Sequence, residues 1–591
     1  MKRIATFDIE TNGLLDEVTK VWCAVVKDHA DGSITSFHPG NIIQLTKFLD
    51  TFDVLIGHSS IAFDFPVLRK IYGWEYEGKK VDTLLISRTQ RPSRKSPSGC
   101  TNGPHSVAAW GLRLGYEKLD NDVWDTYSPH ILRRCERDVE IQYLILRELL
   151  REGYEEGWKE AHILNAKLFA LLQRQEEYGW LIDRKKIDDN LYFLHYWIDR
   201  IDSAISVRLP MVVKVLETKK DGKYNYIRKP FKKDGTHSRS VILYSDYIDS
   251  DSICGPFGCV LFRQVDLDSN KEVKEYLLSL GWEPAEWNEN KEGERTSAKL
   301  SKDDPFKGVQ GGLGRLITKR VQCKHRIGTL EGWLKIIRPD GRIAAKVNGI
   351  AATGRLRHKD IVNVPSPHSG AFFAKQMREV FVAKPGWVLV GVDSKGNQIR
   401  QLAARMGDKQ FMKDALLDKK RDGTDFHDTN MVRLGSVPRS TAKNFFYGLI
   451  FGAGVSKLAS TIGCSTREAR RFLNTYMKEL PLLKKCIDEL TDEWRSTAQT
   501  WWDKHENRRV WINGRITGLD GRPILVDSEH KVLCYALQSD EAIQMALAYV
   551  LFHQYAEQEG YKIGRNWGPV IWMHDEIRSE ERRVGKECRS R

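Results

Sequence analysis

Two apolar strands that end in carboxylates, long helical stretches between them, and a length that calls for about four domains predict a multidomain fold of mixed α/β and α+β class. The chain has 591 residues, 41% hydrophobic and 29% charged, with no low-complexity tract or internal repeat. That is the composition of a globular protein with several cores rather than of a disordered one. The net charge of +14 and pI near 9.1 point to a polyanionic partner. Ten cysteines without a CxxC pair indicate neither a zinc knuckle nor a disulfide framework, and fit a reducing compartment. The N-terminus MKRIATFDIE reaches an acid at Asp8 and lacks the apolar core of a signal peptide, and no uncharged run is long enough to span a bilayer. A cytoplasmic protein with no membrane partner is therefore expected.

The first element is RIATFDIETNGL, read as a strand and a turn. Alternation puts Asp8 and Glu10 on one strand face, where they repel unless a cation lies between them. A D-x-E pair also occurs at solvated strand ends. Further on, GHSSIAFD places Asp64 at the opening of a helix-like run, and CERDVE places Asp138 at the start of an amphipathic helix. Residues 88 to 106, RTQRPSRKSPSGCTNGPHS, are rich in basic and turn-forming residues, and read equally as a solvated loop or a DNA contact.

From Glu155 to about Val207 the pattern is helical. Residues 210 to 253 then interleave basic and aromatic residues with DG turns and read as a small β-rich insertion. Helical periodicity returns in SNKEVKEYLLSLGW and LGRLITKRVQCKHRIGTLEGWLKII.

In the second half, WVLVGVD is an apolar strand ending at Asp393, followed by a turn and a helix with Ile399, Leu402, Ala403 and Met406 on one face. SVPRSTAKNFFYGLIFGAG is more specific: Arg439, Lys443, Tyr447 and Phe451 recur every four residues and form one stripe about 18 Å long on a helix. Two cations followed by two aromatics suit a nucleoside triphosphate, and Pro438 fits the first turn. An aromatic stripe alone is more often core, but a core face would not hold two cations in register with it. VIWMHDE delivers Asp575, with Glu576 beside it, to the same kind of strand end as Asp393. Two such aspartates can hold a pair of divalent ions for nucleotidyl transfer.

The order of these motifs over most of residues 1 to 577 resembles the family A DNA polymerases, in particular the phage replicative type with an N-terminal 3′-5′ exonuclease domain. The resemblance implies a ribonuclease H-like exonuclease domain (1–154), thumb and connecting helices (155–345, with the basic insertion at about 210–253), palm (346–407 and 531–577) and fingers (408–530). It implies Asp393, Asp575 and Glu576 as catalytic residues, with Asp393 and Asp575 binding metal. His427, Arg439 and Lys443 would contact the triphosphate, and Tyr447 and Phe451 would line the base and sugar pocket together with Gln398. Arg355, Gln538 and His574 would contact DNA.

Asp8, Glu10, Asp64 and Asp138 would be the metal-binding catalytic set of the exonuclease. Its usual water-orienting tyrosine or histidine is replaced by Arg134 and Arg133, so an active 3′-5′ exonuclease is expected with a slow or vestigial domain as the alternative. The implied cofactor is Mg2+, two ions per site, with Mn2+ as a substitute. The implied partners are primer-template DNA, deoxynucleoside triphosphates and a processivity factor at the insertion, in a host cell cytoplasm. The family generally has glutamate at the place of Gln398 and often tyrosine at that of Phe451. Weaker exclusion of ribonucleotides is therefore expected, and Tyr447 goes with acceptance of dideoxynucleotides.

After Ile577 the chain reads RSEERRVGKECRSR, which resembles a translated sequencing-library adapter. It contributes +3 of the net charge and leaves +11 for the rest. The reading at residues 578 to 591 is a non-native tail that leaves the palm sheet unfinished and Asp575 on a poorly supported edge. The alternatives to a replicative polymerase are a bacterial-type repair polymerase and a non-catalytic DNA-binding remnant.

Overall fold

The computed structural model describes residues 2–121, 123–153, 157–215, 226–242, 249–258, 260–289, 295–301, 304–503 and 508–582. The chain divides into two compact units, one of residues 1–181, 342–363 and 382–591, the other of residues 182–341 and 364–381.

The first unit begins with a five-stranded sheet of order β3-β2-β1-β4-β5, made of β1 (Ile4–Thr11), β2 (Val21–Asp28), β3 (Ile34–Phe37), β4 (Val54–Gly57) and β5 (Lys79–Asp82). β1 pairs antiparallel with β2 and parallel with β4. Helix α1 (Asp64–Tyr72) lies between β4 and β5, and α2 (Thr83–Gln90) follows β5, with Asp82 accepting the Leu84 and Leu85 amides as its cap. Asp64 is the first residue of α1, where a carboxylate is favoured by the helix dipole.

Helix α3 (Pro129–Gly153) begins nine residues before Asp138, which corrects the expectation that Asp138 starts it. Pro129 suits a first helical position, and the Ser128 hydroxyl accepts the Ile131 amide, so these residues open the helix. The helical pattern expected to run on to Val207 is interrupted. Helix α4 (Lys159–Tyr178) stops at Gly179, whose φ of 68° ends the turn, and Trp180–Leu181 pairs as a short strand with Arg342–Ile343.

The second half of this unit holds β6 (Trp387–Asp393), α5 (Asn397–Met406), α6 (Phe426–Arg433), α7 (Arg439–Ile450), the 27-residue α8 (Val532–Gln558), β7 (Trp567–Met573) and β8 (Glu576–Arg582). A core running from Ile399 through Phe445, Phe446, Tyr476 and Trp494 to Leu537 ties these helices together. Pro438 caps α7 instead of entering its first turn, and Phe451 is its C-cap residue.

The three-stranded sheet has the order β6-β8-β7. Its central strand is β8, and residues 578–582 belong to it. The expectations that the strand stops at Ile577 and that Asp575 sits on an edge are therefore corrected. Ser579 and Glu580 are buried, and Glu580 accepts hydrogen bonds from the Tyr178 hydroxyl (2.7 Å), Arg342 Nη2 (2.8 Å) and the Lys384 amide (2.6 Å). A charged sequence continues the strand because its buried carboxylate is fully partnered. Gly568 permits this packing, since a Cβ there would meet the Tyr178 ring at 2.1 Å. Residues 583–591 lie outside the described residues.

The second unit is built on two helices, Arg184–Ser206 and Leu313–Leu334, with Ile201, Ile205, Val273, Leu277, Trp282 and Ile317 in its core. Helix Asn270–Ser279 is where the periodicity predicts one. Of the basic insertion, Met211–Val215 pairs with Val260–Gln264 and Tyr226–Ile227 with Phe257–Gly258, in keeping with a β-rich segment. Residues 216–225 and 243–248 lie outside the described residues, as does Cys259. Among the described residues no helix is long and apolar enough to cross a membrane.

Replacing Glu580 by alanine removes the carboxylate from the buried Arg342 guanidinium and should cost about 3–5 kcal/mol of stability. Urea denaturation would register this as a lower midpoint, and an unchanged midpoint would contradict the role given to this residue.

Candidate active sites

The first carboxylate cluster forms where β1 meets α3. Ligand oxygens of Asp8, Glu10 and Asp138 lie within 4.8 Å of one another. Asp64 stands next to them, with its Oδ1 accepting the Ile9 amide at 3.3 Å, but it is not one of the three. Burial, and then the charge of Asp138, pushes Asp8 up to about 6, and burial together with Asp8 pushes Glu10 and Asp64 upward as well. The Asp138 Oδ1 atom is buried with no hydrogen-bond partner. Crowded carboxylates, hard oxygen donors and an unmet acceptor fit a divalent cation such as Mg2+.

Two residues at this cluster escaped the sequence reading. Gln142 Nε2 donates to Asp8 Oδ1 at 2.7 Å, and Lys118 forms an ion pair with Asp138. Arg134 pairs with Glu10 and stands 3.7 Å from Asp138 Oδ2, so it occupies the cluster itself, whereas Arg133 is exposed. Gln142 follows Asp138 by four residues on α3, a spacing that could have been read. Lys118 comes from an irregular segment and left no signal.

The second cluster is set by strand register. Asp393 ends β6 directly opposite Glu576 of β8, and β7 and β8 are joined by the two residues His574 and Asp575. His574 has φ of 55°, in the region that disfavours a side chain, a strain typical of functional turns. The Ser394 amide donates to the Asp575 carbonyl at 2.8 Å and ties the two strand ends together. Asp393 is raised above the usual carboxylate range by burial and by Glu576, and Asp575 by burial, Glu541 and Asp393. Arg578 offsets part of this charge through an ion pair with Glu576 at 2.5 Å. Two aspartates held close together, one at the end of β6 and one in the β7–β8 turn, are again a donor set for hard cations.

Helix α7 carries the cationic and aromatic stripe. Arg439 is held by Asp425 and Asp428, the residues that cap α6, and Lys443 is exposed. His427 is buried in α6, its ring 5.7 Å from that of Tyr447, and burial lowers its basicity. Tyr447 stacks on Phe451 at 5.8 Å and 26°, so the stripe continues past the helix end. Burial and the charges of Asp575 and Glu541 push the Tyr447 hydroxyl upward, which places the stripe beside the second cluster.

Glu541 is the main functional residue that the sequence reading missed. It is 3% exposed on α8, pairs with Arg355 and accepts from Gln398 Nε2 at 2.8 Å. Because a carboxylate only accepts, this bond fixes the Gln398 amide with its oxygen directed elsewhere. Its neighbour Asp540 is clamped by Arg405 of α5. The negative charge that the family resemblance places at position 398 therefore stands one side chain away. The adjacent acids in LQSDEA were a visible signal. Arg355, Glu541, Trp572 and His574 line a small hollow, while Gln538 lies on α8 with its amide on Cys534 Sγ at 3.2 Å.

The family model for DNA polymerase family A matches residues 259–586, more than half of the chain, and the chain belongs to that family. DNA-directed DNA polymerases of Enterobacteria phage T3 and Escherichia phage T7 are 24% and 25% identical to it, each over 96% of this chain and 93% of the relative. The thermostable DNA polymerase I of Thermus aquaticus is 25% identical over 53% of this chain. The POL domain of Pol1 from M. smegmatis, solved in complex with DNA primer-template and dNTP, has a TM-score of 0.70 at 17% identity over 99% of this chain and 90% of that one, and so shares its fold.

Asp8 has a carboxyl that the folded protein keeps protonated at pH values where the unfolded chain has ionised. Without divalent cations its contribution to stability is therefore present below about pH 4 and is lost as pH rises through about 6. The Asp8→Asn variant should lack this loss and gain up to roughly 3 kcal/mol on wild type by neutral pH. Thermal melts in chelator across that range check it, and parallel profiles would contradict the assignment.

Proposed function

We propose that this family A polymerase is a template-directed DNA polymerase that extends a primer 3′ end, and that its replicative use in a phage is the reading best supported. The observation that carries this is the meeting of Asp393, Asp575 and Tyr447 of the cationic and aromatic stripe at one end of the three-stranded sheet, beside the coverage shared with the T3 and T7 enzymes. In this reading β6, β7, β8, α5 and α8 belong to the palm and α6 and α7 to the fingers. Arg439 and Lys443 bind the triphosphate, with His427 as a neutral donor or acceptor behind them. Tyr447 and Phe451 stack on base and sugar. Asp425 and Asp428 keep the Arg439 guanidinium extended until phosphate oxygens compete for it.

Asp393 and Asp575 would hold Mg2+, or Mn2+ in its place, which when bound would supply positive charge beside the primer hydroxyl and the leaving pyrophosphate. Arg355, Gln538 and His574 face the primer-template, and Glu541 orients both Arg355 and Gln398. With Gln398 and Phe451 in place, sugar selection rests mainly on bulk, and weaker exclusion of ribonucleotides follows. Tyr447 supports acceptance of dideoxynucleotides.

Residues 1–154 supply a 3′-5′ exonuclease, with Asp8, Glu10, Asp138 and Asp64 as its acidic set. Because Arg134 pairs with Glu10 where a water-orienting residue is expected, hydrolysis is slow relative to extension. A processivity factor at residues 210–253 remains part of the proposal on the strength of the segment's basic and aromatic composition alone.

Primer extension with Mg2+ tests the whole. Asp393→Asn should reduce extension by at least 1,000-fold, on the order of the loss of a catalytic charge, and leave single-strand degradation intact. Asp8→Ala should do the reverse. Extension that survives Asp393→Asn would overturn the polymerase assignment.

A further inference from the structure

The nuclease-like centre carries two cations of its own. Arg134, Asp138 and Gln142 follow one another at four-residue intervals on α3 and so share one face of that helix. The face meets β1, where Arg134 pairs with Glu10 and Gln142 Nε2 donates to Asp8 Oδ1 at 2.7 Å. Lys118, from the segment before α3, pairs with Asp138, and Arg134 Nη1 stands 3.7 Å from the same Asp138 oxygen. Each carboxylate of the crowded triad therefore already has a side-chain donor on it.

The surroundings hold these cations in place. Arg134 Nε donates to the Leu119 carbonyl at 3.1 Å, and its guanidinium lies 4.9 Å from the centre of the Trp124 ring. The segment that supplies Lys118, Leu119 and Trp124 is itself fastened at two points. Trp22 Nε1 of β2 donates to the Trp124 carbonyl at 2.8 Å, and His130 Nε2 of α3 lies 2.8 Å from the Asp120 carbonyl. The Arg134 side chain is only 11% exposed, so solvent screens its charge little. Burial and Asp8 push the Glu10 carboxyl upward, and Arg134 is the strongest influence against that rise. Lys118 has the same part at Asp8, which burial and Asp138 raise. Counted as ionised, Asp8, Glu10, Asp64 and Asp138 bring four negative charges, of which Arg134 and Lys118 cancel two. The remainder matches one divalent ion and not two.

We infer that Arg134 and Lys118 are resident counter-cations of this centre, and that Arg134 holds the place of a divalent ion beside Glu10, which Mg2+ or Mn2+ takes only as the guanidinium leaves. The inference rests on the nuclease reading above and makes Arg134 the residue that sets how tightly the centre loads metal. A guanidinium supplies charge but no coordination position for a water, so the centre is idle while Arg134 stays.

Titration of the full chain with Mn2+, the free ion being counted by electron paramagnetic resonance, tests it. Binding that disappears in Asp8→Ala belongs to this centre, and the Asp393–Asp575 pair serves as an internal reference. Arg134→Gln should tighten the Asp8-dependent binding by about 10–100-fold, the range over which neighbours of metal ligands shift affinity. Arg134→Lys keeps the charge and should gain much less. Lys118→Gln should move in the same direction as Arg134→Gln, with Arg134 left in place. Affinity at the Asp393–Asp575 pair should stay within about twofold of wild type in all three variants. Unchanged Asp8-dependent binding in both Arg134→Gln and Lys118→Gln would overturn the inference, as would equal gains from glutamine and lysine at position 134. If Arg134→Gln gains affinity for Mn2+ yet leaves single-stranded DNA intact, the nuclease reading fails while this inference stands.

Discussion

Like-charged carboxylates stay side by side only where a rigid frame makes the alternative more costly, and that constraint organises this protein twice. At Asp393 and Asp575 the frame is the antiparallel register of β6, β8 and β7, together with the amide of Ser394 on the Asp575 carbonyl. At Asp8, Glu10 and Asp138 it is a buried strand packed against the middle of a 25-residue helix. Burial and neighbouring carboxylates raise Asp8 and Glu10 in one place and Asp393 and Asp575 in the other, so the frame stores a demand for positive charge that a divalent cation meets.

The two centres meet that demand differently in the free chain. The first cluster draws Arg134 and Lys118 into ion pairs, which makes it partly self-neutralised. At the second, Arg578 is engaged with Glu576 and Arg355 with Glu541, and the cations of the α7 stripe are committed to Asp425 and Asp428 or exposed.

Much of this was legible in the sequence because it depends on short-range periodicity. Strand alternation located Asp8 with Glu10, and a four-residue repeat located the stripe from Arg439 to Tyr447. What the sequence left obscure depends on long-range partners. RSEER looks unlike a strand because its charges are paid for by Tyr178 and Arg342, hundreds of residues away. Glu541 and Lys118 acquire meaning only when α8 meets α5, or when the segment at 118 meets α3. The break at Gly179 was hidden because the helices on its two sides share one periodic pattern.

The central claim is that one chain holds two separate carboxylate centres built for divalent cations. Anomalous diffraction from Mn2+-soaked crystals of the full chain tests it most directly. The account predicts Mn2+ peaks at Asp393 and Asp575 and, separately, at Asp8, Glu10 and Asp138. No peak at the Asp393–Asp575 pair under conditions that fill the other cluster would contradict it.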